Sequence, residues 1–391
     1  MNNDISYFAT TNAREPYRKI GIYQADRSQH VYVLGKTGTG KSTLLKTLFM
    51  QDITAYRGCI LLDPHGDLAS AIALGVPPDQ QHRLLYVDLA SDACSFGYNP
   101  LKNVPLRLIP LAVSGLLETF RQHFGEKAWG SRMEHIFRNV LYALMETGGH
   151  DLSDVLRILS EKEYRMEVAS KVKNPQVKYF FETEFARLWG RSLFEAIAPI
   201  QSKVGAFLTD PKLRRFLIDF DQPISFRKAM DEGQIVIVNL ARGILGSDTS
   251  NLIGSLMTQT ITLAALSRQA VPERERLPCH LYLDEFEHLL TPGTANMLSE
   301  VRKVGLTVTL ANQYLHQLEG DTKAAVLGNV GTIITFRTGP EDASLLHRIF
   351  DGDFQTSDFQ NLPNHHLYVK MMIDGEPSRG FSGRGLVFEQ R

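Results

Sequence analysis

The stretch HVYVLGKTGTGKST, residues 30–43, decides how the chain is read. It opens as an apolar run with the character of a buried strand. Its last nine residues fit the spacing G-x-x-x-x-G-K-[ST] as Gly35, Gly40, Lys41 and Ser42. Gly35, Gly38 and Gly40 let the backbone curl until its N–H groups face inward. Leu44, Leu45, Leu48 and Phe49 then give the next segment the buried side of a helix, whose positive N-terminus is aimed at the same point. Such a loop cradles the phosphates of a nucleoside triphosphate. Its binding residues are Gly35, Lys36, Thr37, Gly38, Thr39, Gly40, Lys41, Ser42 and Thr43; Lys41 reaches the β- and γ-phosphates and the Ser42 hydroxyl ligates Mg2+.

Working outward, similar apolar runs recur at 59–63, 84–89, 234–240, 280–284, 306–311 and 331–337. They are continuous rather than alternating, as in strands covered on both faces. Their alternation with helical patterns predicts an α/β fold with a mainly parallel central sheet. Residues 105–225 carry no such run. There SRMEHIFRNVLYALMET (131–147) places Ile136, Phe137, Val140, Leu141 and Leu144 on one helical face. SLFEAIAPIQSKVGAFL (192–208) does the same with Phe194, Ile197, Val204, Phe207 and Leu208, with Pro199 as a point where it is expected to kink. The expected division is a polar N-terminal arm over 1–28, a nucleotide-binding domain made of 29–104 and 226–391, and an inserted all-α domain over 105–225. The C-terminal part ends in a β-hairpin within HLYVKMMIDGEPSRGF (366–381), turning at Asp374-Gly375.

Composition narrows the class. The 391 residues hold 42 Lys and Arg against 43 Asp and Glu, which argues against a protein that coats nucleic acid over its whole surface. The balance is uneven, however. Residues 101–230 hold about 20 basic side chains against 15 acidic ones, a weak pointer to a polyanionic partner. Three scattered cysteines, Cys59, Cys94 and Cys279, argue for a reducing compartment and against a zinc site. No apolar run approaches the roughly 18 residues of a membrane span, so the chain reads as cytoplasmic and without an intrinsic membrane span.

A P-loop needs an acidic residue at the end of a neighbouring strand to organise the Mg2+ shell. LLDPHGD ends one strand at Asp63, and LYLDE ends another at Asp284 with Glu285 beside it. The adjacent pair divides the work better: Asp284 for the metal and its water shell, Glu285 as general base toward the attacking water. His65, just after Asp63, is a candidate ligand or switch, although a polar turn residue is the plainer reading. The strand LTVTLANQYLHQL (306–318) ends in Asn312 and Gln313, whose neutral amides suit contact with a γ-phosphate. Arg302 is a candidate finger for a neighbouring subunit's site, in competition with Arg337.

The order of these parts resembles the HerA–FtsK superfamily of RecA-like motor ATPases, and within it the type IV coupling proteins of the TraG/TraD class. The matching pieces are GKTGTGKST (35–43), LLDPHGDL (61–68), FGYNPL (96–101), HLYLDEFEHL (280–289), VRKVGLTVTLANQYLHQL (301–318) and GNVGTIITFRTG (328–339). The resemblance implies a RecA-like fold, ATP and Mg2+ as cofactors, and a homo-hexameric ring with DNA threaded through it. It implies Asp284 and Glu285 as Walker B residues, Gln313 as sensor and Arg302 as the trans-acting arginine. The expected activity is ATP-driven DNA translocation in conjugative or mobile-element transfer, with a relaxase or type IV secretion components as partners. One alternative is a HerA-type translocase in DNA processing or defence, paired with a nuclease. Another is a nucleotide-dependent switch or scaffold, which the adjacent Asp284-Glu285 pair disfavours. The polar stretch ahead of residue 35 departs from the transmembrane start of coupling proteins, so an anchor borrowed from a partner at the inner membrane is expected.

Overall fold

Strands that are apolar on both sides need cover on both sides, and the chain supplies it from two different regions. The computed structural model describes residues 4–13, 17–318 and 320–388. Eleven strands form one sheet. In chain order they are β1 (Ile5–Thr11), β2 (Lys19–Tyr23), β3 (Val31–Leu34), β4 (Gly58–Asp63), β5 (Leu84–Asp88), β6 (Ile235–Asn239), β7 (Cys279–Asp284), β8 (Leu306–Asn312), β9 (Thr332–Thr335), β10 (His366–Lys370) and β11 (Phe381–Gly385). Their spatial order is β2-β1-β11-β10-β9-β3-β8-β7-β4-β6-β5. From β9 to β5 every pairing is parallel, and from β9 to β2 every pairing is antiparallel. All seven apolar runs read from sequence lie in the parallel block.

The alternation of side chains along these strands feeds two cores. Tyr32, Leu34, Ile60, Leu62, Leu281 and Leu283 face one side, where they meet the helices of the insertion region. Val31, Val33, Cys59, Leu61 and Tyr282 face the other, against Leu44, Leu45, Leu48 and Phe49 of the helix that follows the glycine-rich loop, α1 (Lys41–Thr54). Register keeps the carboxyl ends level: Asp63 lies opposite Asn239, and Asp284 opposite Ala311. That common edge is where ligands of parallel α/β sheets collect.

Between β5 and β6 the chain is mainly helical, including α2 (Ile109–Phe124), α3 (Ser131–Thr147) and α4 (Gly190–Thr209). Ile136, Phe137, Val140, Leu141 and Leu144 are all buried along α3. The helix α4 runs on through Pro199. Phe194 departs from expectation: it is 67% exposed. At 100° per residue it lies roughly 90° off the centre of the stripe formed by Ile197, Ile200, Val204 and Phe207. The helical region is joined to the sheet through α5 (Ser247–Ser267). Gly115 of α2 allows that approach, since a Cβ there would lie 1.9 Å from Gln259 of α5.

The polar arm expected over 1–28 is corrected by β1 and β2, which extend the sheet antiparallel to β11. Their buried positions include Ser6, whose hydroxyl accepts from Arg27 at 3.0 Å, so polar residues take inward positions that composition assigns to solvent. The hairpin within 366–381 turns at Asp374 and Gly375, both at positive φ. It continues into the sheet as the β10–β11 pair.

Arg27, carried by the turn after β2, is fully buried and holds both carboxylate oxygens of Asp52 in α1, at 2.7 and 2.9 Å. Arg57 reaches the same carboxylate at 2.8 Å, and the Tyr282 hydroxyl of β7 closes the cluster. Burial disfavours the charge on Asp52, but Arg27 outweighs it and holds the carboxyl well below its usual range.

Two buried histidines set a pH dependence. Burial pushes His30 down to about 4 and His280 down to about 3. His30 is also tied as a neutral ring, with Nε2 against the Leu298 carbonyl at 2.8 Å and Nδ1 accepting from the Val308 N–H at 3.0 Å. In the unfolded chain each titrates near an ordinary value of about 6.5. The unfolded state therefore binds more protons below that pH, and stability falls as pH drops from about 6.5 toward 4. Denaturant titrations at about pH 7.5 and 5 should show a lower midpoint in acid, and the drop should be smaller in His280→Leu. An equal drop in parent and variant removes His280 from the effect.

Candidate nucleotide-binding and hydrolysis site

Gly35 to Gly40 leave the end of β3 and turn back over the sheet edge. Gly38 and Gly40 adopt φ of 74° and 125°, conformations that a side chain would strain. The Lys36 N–H donates to the Arg337 carbonyl at 2.9 Å and the Thr39 hydroxyl to the Lys36 carbonyl at 2.6 Å. The N–H of His365 holds the Thr39 carbonyl at 2.8 Å from the far side. The loop is thus shaped by its own chain. The N–H groups of the first turn of α1 have no carbonyl partner within the helix and remain for an anion.

The loop opens on a cavity of about 600 Å3. Lys41, Ser42, Asp284, Glu285 and Gln313 line one end, and Thr43, Lys46, Thr47 and Phe388 extend it along α1. Lys41 is only 8% exposed; its ammonium donates to the Gly35 carbonyl at 2.5 Å. Burial pulls its pKa down, opposed by Asp284, Glu285 and Glu287. Asp284 is pushed up to about 6, first by burial and then by Asp63 and Glu285. Glu287 is pushed up to about 8, mainly by burial. Several carboxyl groups therefore face one ammonium, a balance that a divalent cation relieves. Among the described residues no group of three or more His, Cys, Asp or Glu side chains is placed to hold a metal alone. Mg2+ needs none, since it commonly takes one or two protein oxygens and completes its shell with phosphates and water. Ser42 and Asp284 are the residues that fit it.

The other acids and amides are sorted by their hydrogen bonds. Asp63 accepts the N–H of His65 at 3.0 Å and of Ala69 at 2.8 Å, so its two oxygens shape the following turn. Asn312 is consumed in the core by the Tyr32 hydroxyl at 2.7 Å. Gln313 instead reaches into the cavity, donating to Glu285 at 2.9 Å and accepting from the Thr37 hydroxyl at 3.0 Å. Glu285 sits in the left-handed region at φ 47° and also takes His65 at 3.0 Å and Arg242 at 2.8 Å. Burial opposes its charge, but His65, Arg242 and Gln313 hold the carboxyl below its usual range.

The two arginines separate. Arg337 is tied beside its own loop, to the Leu362 carbonyl at 3.2 Å and Asn364 at 2.9 Å. Arg302 lies before β8, at the opposite ends of the parallel strands, where it lines a second cavity of about 650 Å3. It is exposed, and its side chain makes no hydrogen bond or ion pair with the described residues. Roughly 20 Å of strand separates it from its own loop. Sequence reading missed Arg242, His365 and Phe388. Arg242 follows a strand's carboxyl end, the position that drew attention to Asp63 and Asp284, and that signal was available. His365 and Phe388 arrive from the antiparallel side and carry no local sign.

Replacing Lys41 with Ala removes the buried ammonium that the loop presents to the cavity. Nucleotide binding should weaken by about 2 kcal/mol or more, roughly 30-fold. Titration of a fluorescent ATP analogue measures it, and retained affinity would contradict the role of the loop.

A family model described as the central domain of the helicase HerA matches residues 19–261, and one described as the TraM recognition site of TraD and TraG matches residues 278–349. No curated protein matches the chain significantly. Among solved structures, the unbound bacterial conjugative coupling protein TrwBΔN70 is similar at a TM-score of 0.68 and 15% identity, covering 95% of this chain and 88% of that one. The plasmid coupling protein TrwB with ADP and Mg2+ is similar to the same degree. VirB4 of Thermoanaerobacter pseudethanolicus is similar at a TM-score of 0.66 and 12% identity, over 99% of this chain and 98% of that one. These likenesses show a shared RecA-like P-loop fold. The HerA match spans more than half of the residues, and with it the chain belongs to the HerA helicase central-domain family of P-loop ATPases.

Proposed function

We propose that this ATPase is a DNA translocase working as a ring of its own copies, six by analogy with its superfamily, in conjugative or mobile-element DNA transfer. The observation that carries the reading is the split of the hydrolysis machinery across the sheet. Lys41, Asp284, Glu285 and Gln313 meet at one cavity, whereas Arg302 stands free at the opposite strand ends. An arginine so placed serves a neighbour's nucleotide, and a head-to-tail contact of this kind closes into a ring. Within the site, Ser42 and Asp284 hold Mg2+ and Lys41 holds the β- and γ-phosphates. Glu285 polarises the attacking water and Gln313 senses the γ-phosphate.

DNA as the load is supported by the match to a helicase family and by the likeness to a conjugative coupling protein. The match to a TraM recognition site favours transfer over the alternative of DNA processing with a nuclease partner. The helical region over 105–225 acts in this reading as an inserted domain whose basic excess faces DNA or a protein substrate. Among the described residues no helix is long and apolar enough to cross a membrane. In this reading the motor works on the cytoplasmic side, and a partner brings it to the secretion channel.

Hydrolysis should rise about fivefold or more with plasmid DNA at low salt and lose that gain as salt increases, because backbone contacts weaken steeply with salt. An ATPase rate indifferent to DNA across the salt range would overturn the motor reading. Glu285→Gln should bind ATP with affinity within about threefold of the parent and lose roughly 10² to 10⁴ in turnover. Arg302→Ala should also bind but turn over roughly 10³-fold more slowly. Mixed with Glu285→Gln subunits, it should regain activity, because each kind of subunit supplies what the other lacks. Failure of the mixture to recover would place Arg302 outside the neighbour's site.

A further inference from the structure

A general base needs a lone pair turned toward water, within about 2.6–3.2 Å in the reactive geometry. Glu285 has little to spare. Its Oε2 accepts from Arg242 Nη1 at 2.8 Å, while Oε1 accepts from Gln313 Nε2 at 2.9 Å and meets His65 Nε2 at 3.0 Å. The backbone around this contact is unusual on both sides. Glu285 stands at φ 47° and Ala241, the residue before Arg242, at φ 49°. Left-handed backbone at non-glycine residues is strained, and it persists where the surroundings impose it and where two arrangements are needed.

Arg242 does more than pair with Glu285. Its backbone N–H donates to the Pro64 carbonyl at 2.9 Å, which fixes the start of the short helical turn Arg242–Leu245 beside the nucleotide cavity. Its Nε donates to the hydroxyl of Ser247 at 3.1 Å, and Ser247 is the first residue of α5. That helix carries the helical region through the close Gly115–Gln259 approach. Ser255, also in α5, donates to the His288 carbonyl at 3.0 Å, three residues past Glu285. One guanidinium thus bridges the carboxylate expected to act as base and the helix on which the helical region rests.

We infer that Arg242 holds Glu285 in a resting position and that movement of α5, driven by a load on the helical region, releases it. Arg242 is a positioning residue in this arrangement: it is not among the residues lining the nucleotide cavity, and it sets whether Glu285 is free to act there. The inference rests on the reading of Glu285 as the base. A clamp of this kind keeps ATP turnover low in a motor that is not engaged, and couples release to engagement with DNA.

The test is steady-state hydrolysis by the full chain, with and without plasmid DNA, for four variants alongside the parent. Arg242→Gln should raise the DNA-free kcat about three- to tenfold, leave KM for ATP within about twofold and shrink the stimulation by DNA toward unity. Arg242→Lys, which keeps the charge with a single donor, should fall between this variant and the parent. Ser247→Ala leaves the Arg242–Glu285 pair in place and cuts its link to α5, so the DNA-free rate should stay low while stimulation by DNA is lost. The Ser247→Ala variant keeps the test sharp if Arg242→Gln folds poorly. A fall in the DNA-free rate of Arg242→Gln, with nucleotide affinity retained, overturns the clamp, as does a Ser247→Ala protein that responds to DNA like the parent. Glu285→Gln separates the two ideas. If it still turns over normally, the reading of Glu285 as base has failed. If it is inactive and Arg242→Gln gains nothing, only the clamp has failed.

Discussion

Both ends of the phosphate-binding helix are pinned, and the geometry of the site depends on it. At the amino end Lys41 folds back onto the Gly35 carbonyl. At the carboxyl end Asp52 is locked by Arg27, Arg57 and the Tyr282 hydroxyl. Buried ion pairs of this kind add little net stability over an apolar filling, but breaking one partner costs about 3–5 kcal/mol because the other charge is left behind. Their effect here is positional. Tyr282 stands two residues before Asp284 on the same strand, and Arg27 follows the first two strands of the chain. The cluster therefore ties the helix that presents Lys41, the strand that presents Asp284 and the amino-terminal strands into one rigid unit.

Within that unit the charge balance decides what the cavity accepts. Asp284 and Glu287 are both driven upward, chiefly by burial, and Lys41 is driven downward. Each group is less comfortable in its charged form than it would be in water. A bound triphosphate with Mg2+ supplies the anion for Lys41 and the cation for Asp284 together, so either component alone leaves one side of the balance unmet. Glu285 is the exception among the acids, because His65, Arg242 and Gln313 already neutralise or solvate it. The two acids proposed for the metal and for the attacking water are adjacent in sequence and opposite in electrostatic circumstance.

How much of this was legible in the sequence follows from the range over which each feature acts. The seven parallel strands were readable because burial on both faces makes a continuous apolar run, a purely local sign. The phosphate loop and the Asp284-Glu285 pair were readable for the same reason, each being complete within a dozen residues. β1 and β2 were not, because their inward side chains include Ser6, and the strand that makes them part of the sheet, FSGRG, lies at the other end of the chain and is rich in glycine. Arg242 illustrates the intermediate case. Its position after a strand was visible, but its partner, Glu285, is 43 residues away. Only the register of the β4–β6 and β4–β7 pairings brings the two together.

The pairing of β1 with β11 also governs the order in which the molecule is completed. Ala9 lies opposite Gly385, and the Leu386 N–H reaches the Phe8 carbonyl at 2.8 Å. All of the chain between these residues must be synthesised before β1 meets β11. Until then the β1–β2 hairpin is a two-stranded unit, marginal by itself in water. Arg27 is carried at its end, and its partner Asp52 lies in α1. The phosphate-binding helix is thus secured late, by a hairpin that is made before it and completed by a strand made long after it. Contacts of such long sequence separation form slowly. Until β11 is made, the edge of β1 that it covers stays unpaired, and an open strand edge of this kind is where an incomplete chain is prone to aggregate.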